Sequence, residues 1–358
     1  MISVSAPGRI CLFGEHQDYL GLPVIAAGIS RRIKIVGTHR ANNLIVINMP
    51  DIDAVEKFPL EKNYAYTKPH DYLRSVLNVL MRDEQLSFSK GFECTVTSTI
   101  PINSGTSSSS ALVVAWIQFL SKIADIPKNI SQFQVAHIAY KAEVLEFGGH
   151  GGMMDQFSIA LGNCIYLTSQ PKIEVENLFP KLGTFVLGDS QEPKDTQKIL
   201  KHVKYGMLAA MEKIKKINPD FDITHAQIKQ ADAYKNLLTR DELVLVKGNI
   251  SDHKILKAAK KMLESGVVND EKLGNLLTRH QNNLRDAKLI STPKINRMIE
   301  AAMHAGALGG KINGSGGGGC MFAYAPTHAE QVAAAIERVG GKAHIINIDR
   351  GVFTDEII

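Results

Sequence analysis

Apolar and polar residues alternate along Phe92–Ile100, where Phe92, Cys94, Val96 and Ile100 are separated by Glu93, Thr95 and Thr97. A period of two marks a strand buried on one face, so this stretch predicts one. Arg32–Thr38 and Leu44–Met49 also read as strands. The period becomes helical over Asp71–Arg82, where Leu73, Val76, Leu77 and Leu80 share a face. Leu112, Val113, Ala115, Trp116, Phe119 and Leu120 define a second helix, and Ser131–Phe147 a third with Ser131 as its N-cap. Strand signals return at Cys164–Thr168 and Thr184–Leu187, the latter closing the first half. From Pro193 to about Ala302 the pattern is helical and lysine-rich. It then reverts to a strand at Lys311–Asn313, a loop at Gly314–Gly319 and a strand at Cys320–Tyr324. A helix (His328–Val339) and a strand (Ala343–Ile348) follow. The change of texture near Gln191–Lys194 predicts two domains, residues 1–190 and 191–358, in an α+β protein with the chemistry between them.

Four breaks in this pattern carry candidate chemistry. Between the strand from Phe92 and the helix from Leu112 stands Pro101-Ile102-Asn103-Ser104-Gly105-Thr106-Ser107-Ser108-Ser109-Ser110. A small-residue turn entering a helix offers free backbone N–H groups and the positive end of the helix dipole, which suits an anion. A cap needs one serine, and the Walker A spacing is absent, so a phosphate bound here belongs to another fold. Near the start, Arg9, Glu15, His16, Asp18 and Tyr19 gather around an apolar strand and the glycines Gly8 and Gly14, a set suited to hydrogen-bonding several hydroxyls. Ala142-Glu143 leads to Gly148–Gly152 and then Asp155, which reads either as a carboxylate at a helix N-terminus or as a general base. Finally, Lys311–Cys320 contains six consecutive residues small enough for a backbone or ligand to approach. Asn313 stands where a nucleophile elbow around Ser315 would need glycine.

Composition adds bounds. The 358 residues suffice for two cores, and 44% hydrophobic with 22% charged residues is ordinary for a globular protein. The net charge of +5 gathers on lysines such as Lys198, Lys201, Lys204, Lys213, Lys215 and Lys216, which read as solvated helix faces. They carry no aromatic interleaving, so nucleic acid is not the expected partner. Cys11, Cys94, Cys164 and Cys320 are widely spaced and read as reduced thiols. Neither a secretory leader nor an 18-residue apolar run is present, so the expectation is a cytoplasmic protein with no membrane partner. The sequence sets no oligomeric state.

Together these motifs resemble the superfamily of small-molecule kinases named for galactokinase, homoserine kinase, mevalonate kinase and phosphomevalonate kinase (GHMP), and within it the galactokinase branch most. Pro7 through Tyr19 is similar to Pro-Gly-Arg…Gly-Glu-His-x-Asp-Tyr, Pro101 through Ser109 to Pro-x-x-x-Gly-Leu-Ser-Ser-Ser, and Gly152 through Gln156 to Gly-Ile-Met-Asp-Gln. The resemblance implies a ribosomal-protein-like N-terminal domain binding ATP and sugar, and a ferredoxin-like C-terminal domain. It also implies ATP-dependent phosphorylation of a sugar's anomeric hydroxyl. By the same resemblance Asp155 is the base and Arg9 the charge stabiliser, while Glu15, His16, Asp18 and Gly152 meet the sugar. Ser104, Gly105, Thr106, Ser107, Ser108, Ser109 and Ser110 hold the nucleotide's phosphates, Ser109 and Glu143 coordinate Mg²⁺, and Gly314–Gly319 closes over the site.

The chain departs from that branch at Leu20 and Leu22, at Lys311, Asn313, Ser315 and Gly317, and over Gln191–Thr196, where a Tyr-Asn-x-Arg-Arg stretch with a sugar-contacting tyrosine is expected. Several of these residues resemble mevalonate-type kinases. They keep an amino sugar, a pentose, a heptose phosphate or mevalonate open as acceptor. A non-catalytic sugar sensor is disfavoured by the intact serine loop, Glu143 and Asp155.

Overall fold

In the computed structural model, which describes residues 1–102, 105–149, 151–193, 199 and 201–355, two sheets meet across a shared apolar layer. β1 (Ile2–Phe13) and β2 (Val24–His39) are the spine of the first sheet, joined by β3 (Leu44–Met49), β4 (Ala54–Pro59) and β5 (Phe92–Ser98). Its eight strands run β12-β1-β2-β5-β3-β4, with β6 (Cys164–Thr168) paired to β2 and β7 (Glu174–Leu178) to β6. The second sheet has the order β11-β8-β10-β9, built from β8 (Phe185–Asp189), β9 (Gly309–Ile312), β10 (Cys320–Tyr324) and β11 (Lys342–Ile346). Taken in chain order that is a β-α-β-β-α-β arrangement, the ferredoxin-like plan.

The helices follow the periodicities read from the sequence. α1 (Tyr72–Asp83), α2 (Ser108–Ile123), α3 (Gln132–Glu143) and α4 (Met154–Leu161) cover one face of the first sheet. Ser131 caps α3 in a capping box with Gln134, and the helix stops at Glu143 rather than Phe147. A separate 3₁₀ turn, Leu145–Phe147, follows and is ended by Gly148 at φ 63°. The lysine-rich stretch becomes α5 (Gly206–Ile217), entered through a π-helical turn at Lys201–Tyr205, then α6 (Arg240–Glu264), α7 (Asp270–Asp286) and α8 (Pro293–His304). α9 (Ala329–Arg338) links β10 to β11. Among the described residues no helix is long and apolar enough to cross a membrane.

Chain order and sheet membership diverge at two points. β8 does not close the first half; it pairs with β10 and β11 in the second sheet. β12 (Phe353–Asp355), from the far end of the chain, pairs antiparallel with β1 in the first, Ser3 opposite Asp355. Arg32 pins the returning segment, donating to Asp349 at 2.7 Å, to the Arg350 carbonyl at 2.8 Å and to the Gly351 carbonyl at 2.8 Å. β8 is buried along nearly its whole length, so its sequence says that it is a strand without saying whose.

Alternate residues of β1 serve two cores. Val4, Ala6 and Cys11 face the helices of the first half. Ile10, Leu12 and Phe13 join Ile25, Ala27 and Ile29 of β2 in a layer with Phe185, Phe322, α6 and α7. The floor of the cleft is therefore packed protein from both halves.

Candidate active site

The site begins at an irregularity in β1. The pairing with β2 shifts between Pro7 and Gly8, a bulge that re-aims the next side chain. Arg9 consequently leaves the sheet for the serine loop, its N–H bonded to the Thr106 carbonyl at 3.2 Å. The buried guanidinium donates from Nε to Asp155 Oδ1 at 2.8 Å and from Nη1 to the Gly105 carbonyl. Gly105, at φ 92°, also receives Asn313 Nδ2 at 2.9 Å, so both halves fix this carbonyl.

Asp155 sits in the first turn of α4 with its side chain about a third exposed, 32%. Asp155 thus lies at a helix N-terminus, as one of the two sequence readings has it, with its carboxylate partly open to the cavity. Its second oxygen accepts from Ser107 Oγ at 2.6 Å. Ser107 is the N-cap of α2 in the left-handed conformation, φ 57°, and makes no side-chain cap bond. That conformation aims its hydroxyl at the carboxylate, a partnership the serine run does not reveal. Thr106, fully buried, donates its hydroxyl to the Pro101 carbonyl at 3.3 Å. Gly105, Ser108 and the hydroxyls of Ser109 and Ser110 complete the described part of the loop; Ser104, with Asn103, lies outside the described residues.

Glu143, at the end of α3, is held by Ser109 at 3.1 Å, Ser110 at 2.9 Å and Gln156 at 2.6 Å. Burial pushes its carboxyl above the usual range, against these hydrogen bonds. Such a buried carboxylate with neighbouring hydroxyls is a hard oxygen donor set that a divalent cation would relieve. Among the described residues no cluster of three or more His, Cys, Asp or Glu forms a closed metal cage. The donors present fit Mg²⁺ only in the way Mg²⁺ often binds, with water and phosphate completing its shell.

On the opposite side are His16 and Asp18. His16 donates from Nε2 to the Ser315 carbonyl at 2.9 Å, tying the N-terminal motif to the glycine loop. Burial, with Lys288 nearby, lowers its imidazole to about 4, so it is neutral. Asp18 is raised to about 6 by burial and by the Asp155 charge. It packs so closely on Gly152 that a Cβ there would lie 1.5 Å from Asp18 Oδ2, which accounts for glycine at 152. Glu15 lines the same cavity. Its carboxylate is largely buried and engaged by Lys311.

Arg9, His16, Asp18, Ser109, Glu143, Gly152 and Asp155, with Gly314 and Ser315, line one cavity of about 590 Å³. The glycine loop reaches it as expected: Gly314 packs on Gly105, where a Cβ would lie 2.8 Å from the carbonyl oxygen. Gly314 and Gly316–Gly319 all have positive φ, between 73° and 121°, which explains the glycine run. The sequence reading missed His70, Tyr72, Phe147, Lys204 and Tyr205, which also line this cavity. His70, Tyr72 and Phe147 form an aromatic cluster, with centroids 5.5–5.7 Å apart, in which Phe147 comes from a distant part of the sequence.

Models of known families match three stretches: GHMP kinases N terminal domain at residues 71–163, GHMP kinases C terminal at 263–342, and the galactokinase galactose-binding signature at 2–39. The chain is 30% identical to a mevalonate kinase of Thermococcus onnurineus, over 100% of this chain and 99% of that protein. It is 26% identical to a galactokinase of Mannheimia succiniciproducens, over 91% of this chain and 85% of that one. Lactococcus lactis galactokinase complexed with galactose shares the fold, with a TM-score of 0.83 at 22% identity over 98% of this chain and 94% of that one.

Proposed function

The chain belongs to the GHMP kinase family, and from that premise we propose that it transfers the γ-phosphoryl group of ATP to the anomeric hydroxyl of galactose or a related sugar. It is an ATP-dependent phosphotransferase with an alcohol group as acceptor. The observation that carries the finer reading is Asp155, gripped by Arg9 on one oxygen and Ser107 on the other, between the serine loop and the Asp18–Gly152 wall.

In this reading the acceptor hydroxyl lies against Asp155, which takes its proton or orders it for attack. Arg9, immobilised by Asp155 and Gly105, offsets negative charge that develops as the hydroxyl oxygen meets the phosphoryl group. The first turn of α2 presents backbone N–H groups to the phosphates. Glu143 and Ser109 would hold Mg²⁺, which when bound neutralises phosphate charge. His16 and Asp18 accept or donate to acceptor hydroxyls, with the glycine loop holding His16 in place. We place the protein in the cytoplasm, where its four buried cysteines stay reduced.

A second reading has mevalonate as the acceptor. It is favoured by the full-length similarity to a mevalonate kinase and by Lys311 and Asn313 in the glycine motif. ADP release from Mg·ATP with galactose, N-acetylgalactosamine, arabinose, mannose and mevalonate separates the two. Turnover on galactose and not mevalonate supports the first reading, and the reverse pattern the second. Asp155→Asn is expected to lower kcat by at least about a hundredfold while leaving nucleotide affinity within about threefold. Near-parental turnover in that variant would remove Asp155 from the proposed role.

A further inference from the structure

The first turn of α4 carries two polar side chains that face different ways. Consecutive helical residues point about 100° apart. Asp155 accordingly meets Arg9 and Ser107, while Gln156 meets Glu143 at the end of α3. Aromatic contacts fix the two helices against each other. The Phe157 ring lies 5.4 Å from Phe133 and 5.1 Å from His137 of α3, centroid to centroid. Gln156 is only 3% exposed, yet it lines the cavity.

The Gln156 amide is committed to that carboxylate: Nε2 donates to Glu143 Oε2 at 2.6 Å. The amide oxygen is buried and has no partner among the described residues. Turning the amide over would set its oxygen against the carboxylate, acceptor against acceptor. A buried carbonyl left unpaired is a cost that native structures rarely accept without a function. Packing alone would be served by an apolar side chain. An ionised carboxylate offers about four lone-pair sites. Ser109 and the buried Ser110 occupy Oε1, at 3.1 and 2.9 Å, and Gln156 takes one site on Oε2. The site left open is on Oε2. That arrangement matches a small cation bound through one carboxylate oxygen, with phosphate and water as its other ligands.

We propose that Gln156 is a positioning residue for the divalent cation: its amide holds Glu143 with one Oε2 lone pair left for the ion, and it sets the affinity for Mg²⁺ without being a ligand. Hydrogen-bonded partners behind a metal ligand commonly govern affinity in this way. The proposal rests on the reading of Glu143 and Ser109 as the Mg²⁺ donors. It also makes one helical turn the frame for two charges. Asp155 serves the acceptor, and Gln156, through Glu143, serves the ion.

Calorimetric titration of the full chain with ADP across a series of Mg²⁺ concentrations tests this. Mg²⁺ should tighten ADP binding to the parent protein, and Glu143→Gln should remove that gain. Gln156→Met keeps the volume and loses the donor. It should raise the Mg²⁺ concentration that half-saturates the protein–ADP complex at least about tenfold, with metal-free ADP affinity within about twofold. The Mg²⁺ dependence of turnover should move by the same factor, and excess Mg²⁺ should recover the rate, which a merely structural defect would not allow. If Gln156→Met fails to fold, Gln156→Asn, whose shorter amide falls short of the carboxylate, carries the same expectation. In the Glu143→Gln background, Gln156→Met should have no further effect on the Mg²⁺ response. A Mg²⁺ requirement unmoved in Gln156→Met, or metal-free and Mg·ADP affinities that fall together, overturns the positioning role. Where Glu143→Gln still removes the gain, the metal reading stands without Gln156; where Glu143→Gln changes nothing either, both fall.

Discussion

His16 and Asp18 lie two residues apart on one loop, and burial drives their charges in opposite senses. The imidazole, lowered to about 4, is neutral where a free histidine would begin to charge. The carboxyl, raised to about 6, keeps its proton where a free aspartate would have lost it. Between about pH 4 and 6 the native state thus holds an extra proton at Asp18 and lacks one at His16 relative to the unfolded chain. Raising the pH through that window costs stability at Asp18 and gains it at His16, so the two slopes offset. Activity does not average in this way. Ionised Asp18 is the form that accepts hydrogen bonds from acceptor hydroxyls, so kcat/KM for the acceptor should climb with a midpoint near pH 6. Asp18→Asn should flatten that limb; a pH–rate profile that keeps it assigns the titration to another group. At this scale the sequence was informative where residue type was the signal, as for Arg9 and Asp155. It was silent about Ser107, because four neighbouring serines differ only in backbone conformation, and φ 57° singles out one.

Under the cleft, β1, β9, α6 and α7 are joined by charged groups rather than by apolar contacts alone. Lys311 donates to the Cys11 carbonyl at 3.0 Å, to the Ile312 carbonyl at 2.9 Å and to Glu15. Lys288 pairs with Asp252 at 2.9 Å and donates to the Glu15 carbonyl at 2.8 Å. His280, kept neutral by burial and by both lysines, fills the space between the carboxylates. Removing one partner of such a pair leaves a buried charge uncompensated. Lys311→Met should therefore lower stability by about 3–5 kcal/mol, and adding Glu15→Gln should recover part of the loss. Chemical denaturation of the single and double variants measures this; additive losses would mean the pair is not coupled. Nothing in the sequence pattern distinguishes Lys288 or Lys311 from surface lysines, since their partners lie hundreds of residues away or on other helices. Strand signals failed for a related reason. β1, buried on both faces, shows only as an apolar strand with no alternation to fix its ends, whereas β4 and β7 are mostly exposed edge strands with too few apolar residues to show a period. The helices expected at Asp71–Arg82 and His328–Val339 were read nearly to their ends. The one from Ser131 overran its end at Glu143, and those between 193 and 302 were read only as a helical stretch.

The two halves share the layer built from β1, β2, the second sheet, α6 and α7. Apolar area common to both means neither is complete without the other. Residues 1–190 alone would expose Ile10, Leu12, Phe13, Ile25, Ala27 and Ile29. That fragment should fail to give a soluble, cooperatively melting protein, while the whole chain should unfold in one calorimetric transition. Two separate transitions, or a folded fragment, would show that the layer does not bind the halves into one unit. The change in composition near residue 191 marks where helices take over from strands. It says nothing of where packing is shared, because burial in that layer looks the same from either side. The return of β12 to β1 adds a constraint of timing. During synthesis one edge of the first strand to emerge stays bare until residues 353–355 follow, on the order of tens of seconds later. A ribosome halted short of that point displays an open sheet edge, the kind of template on which other strands add.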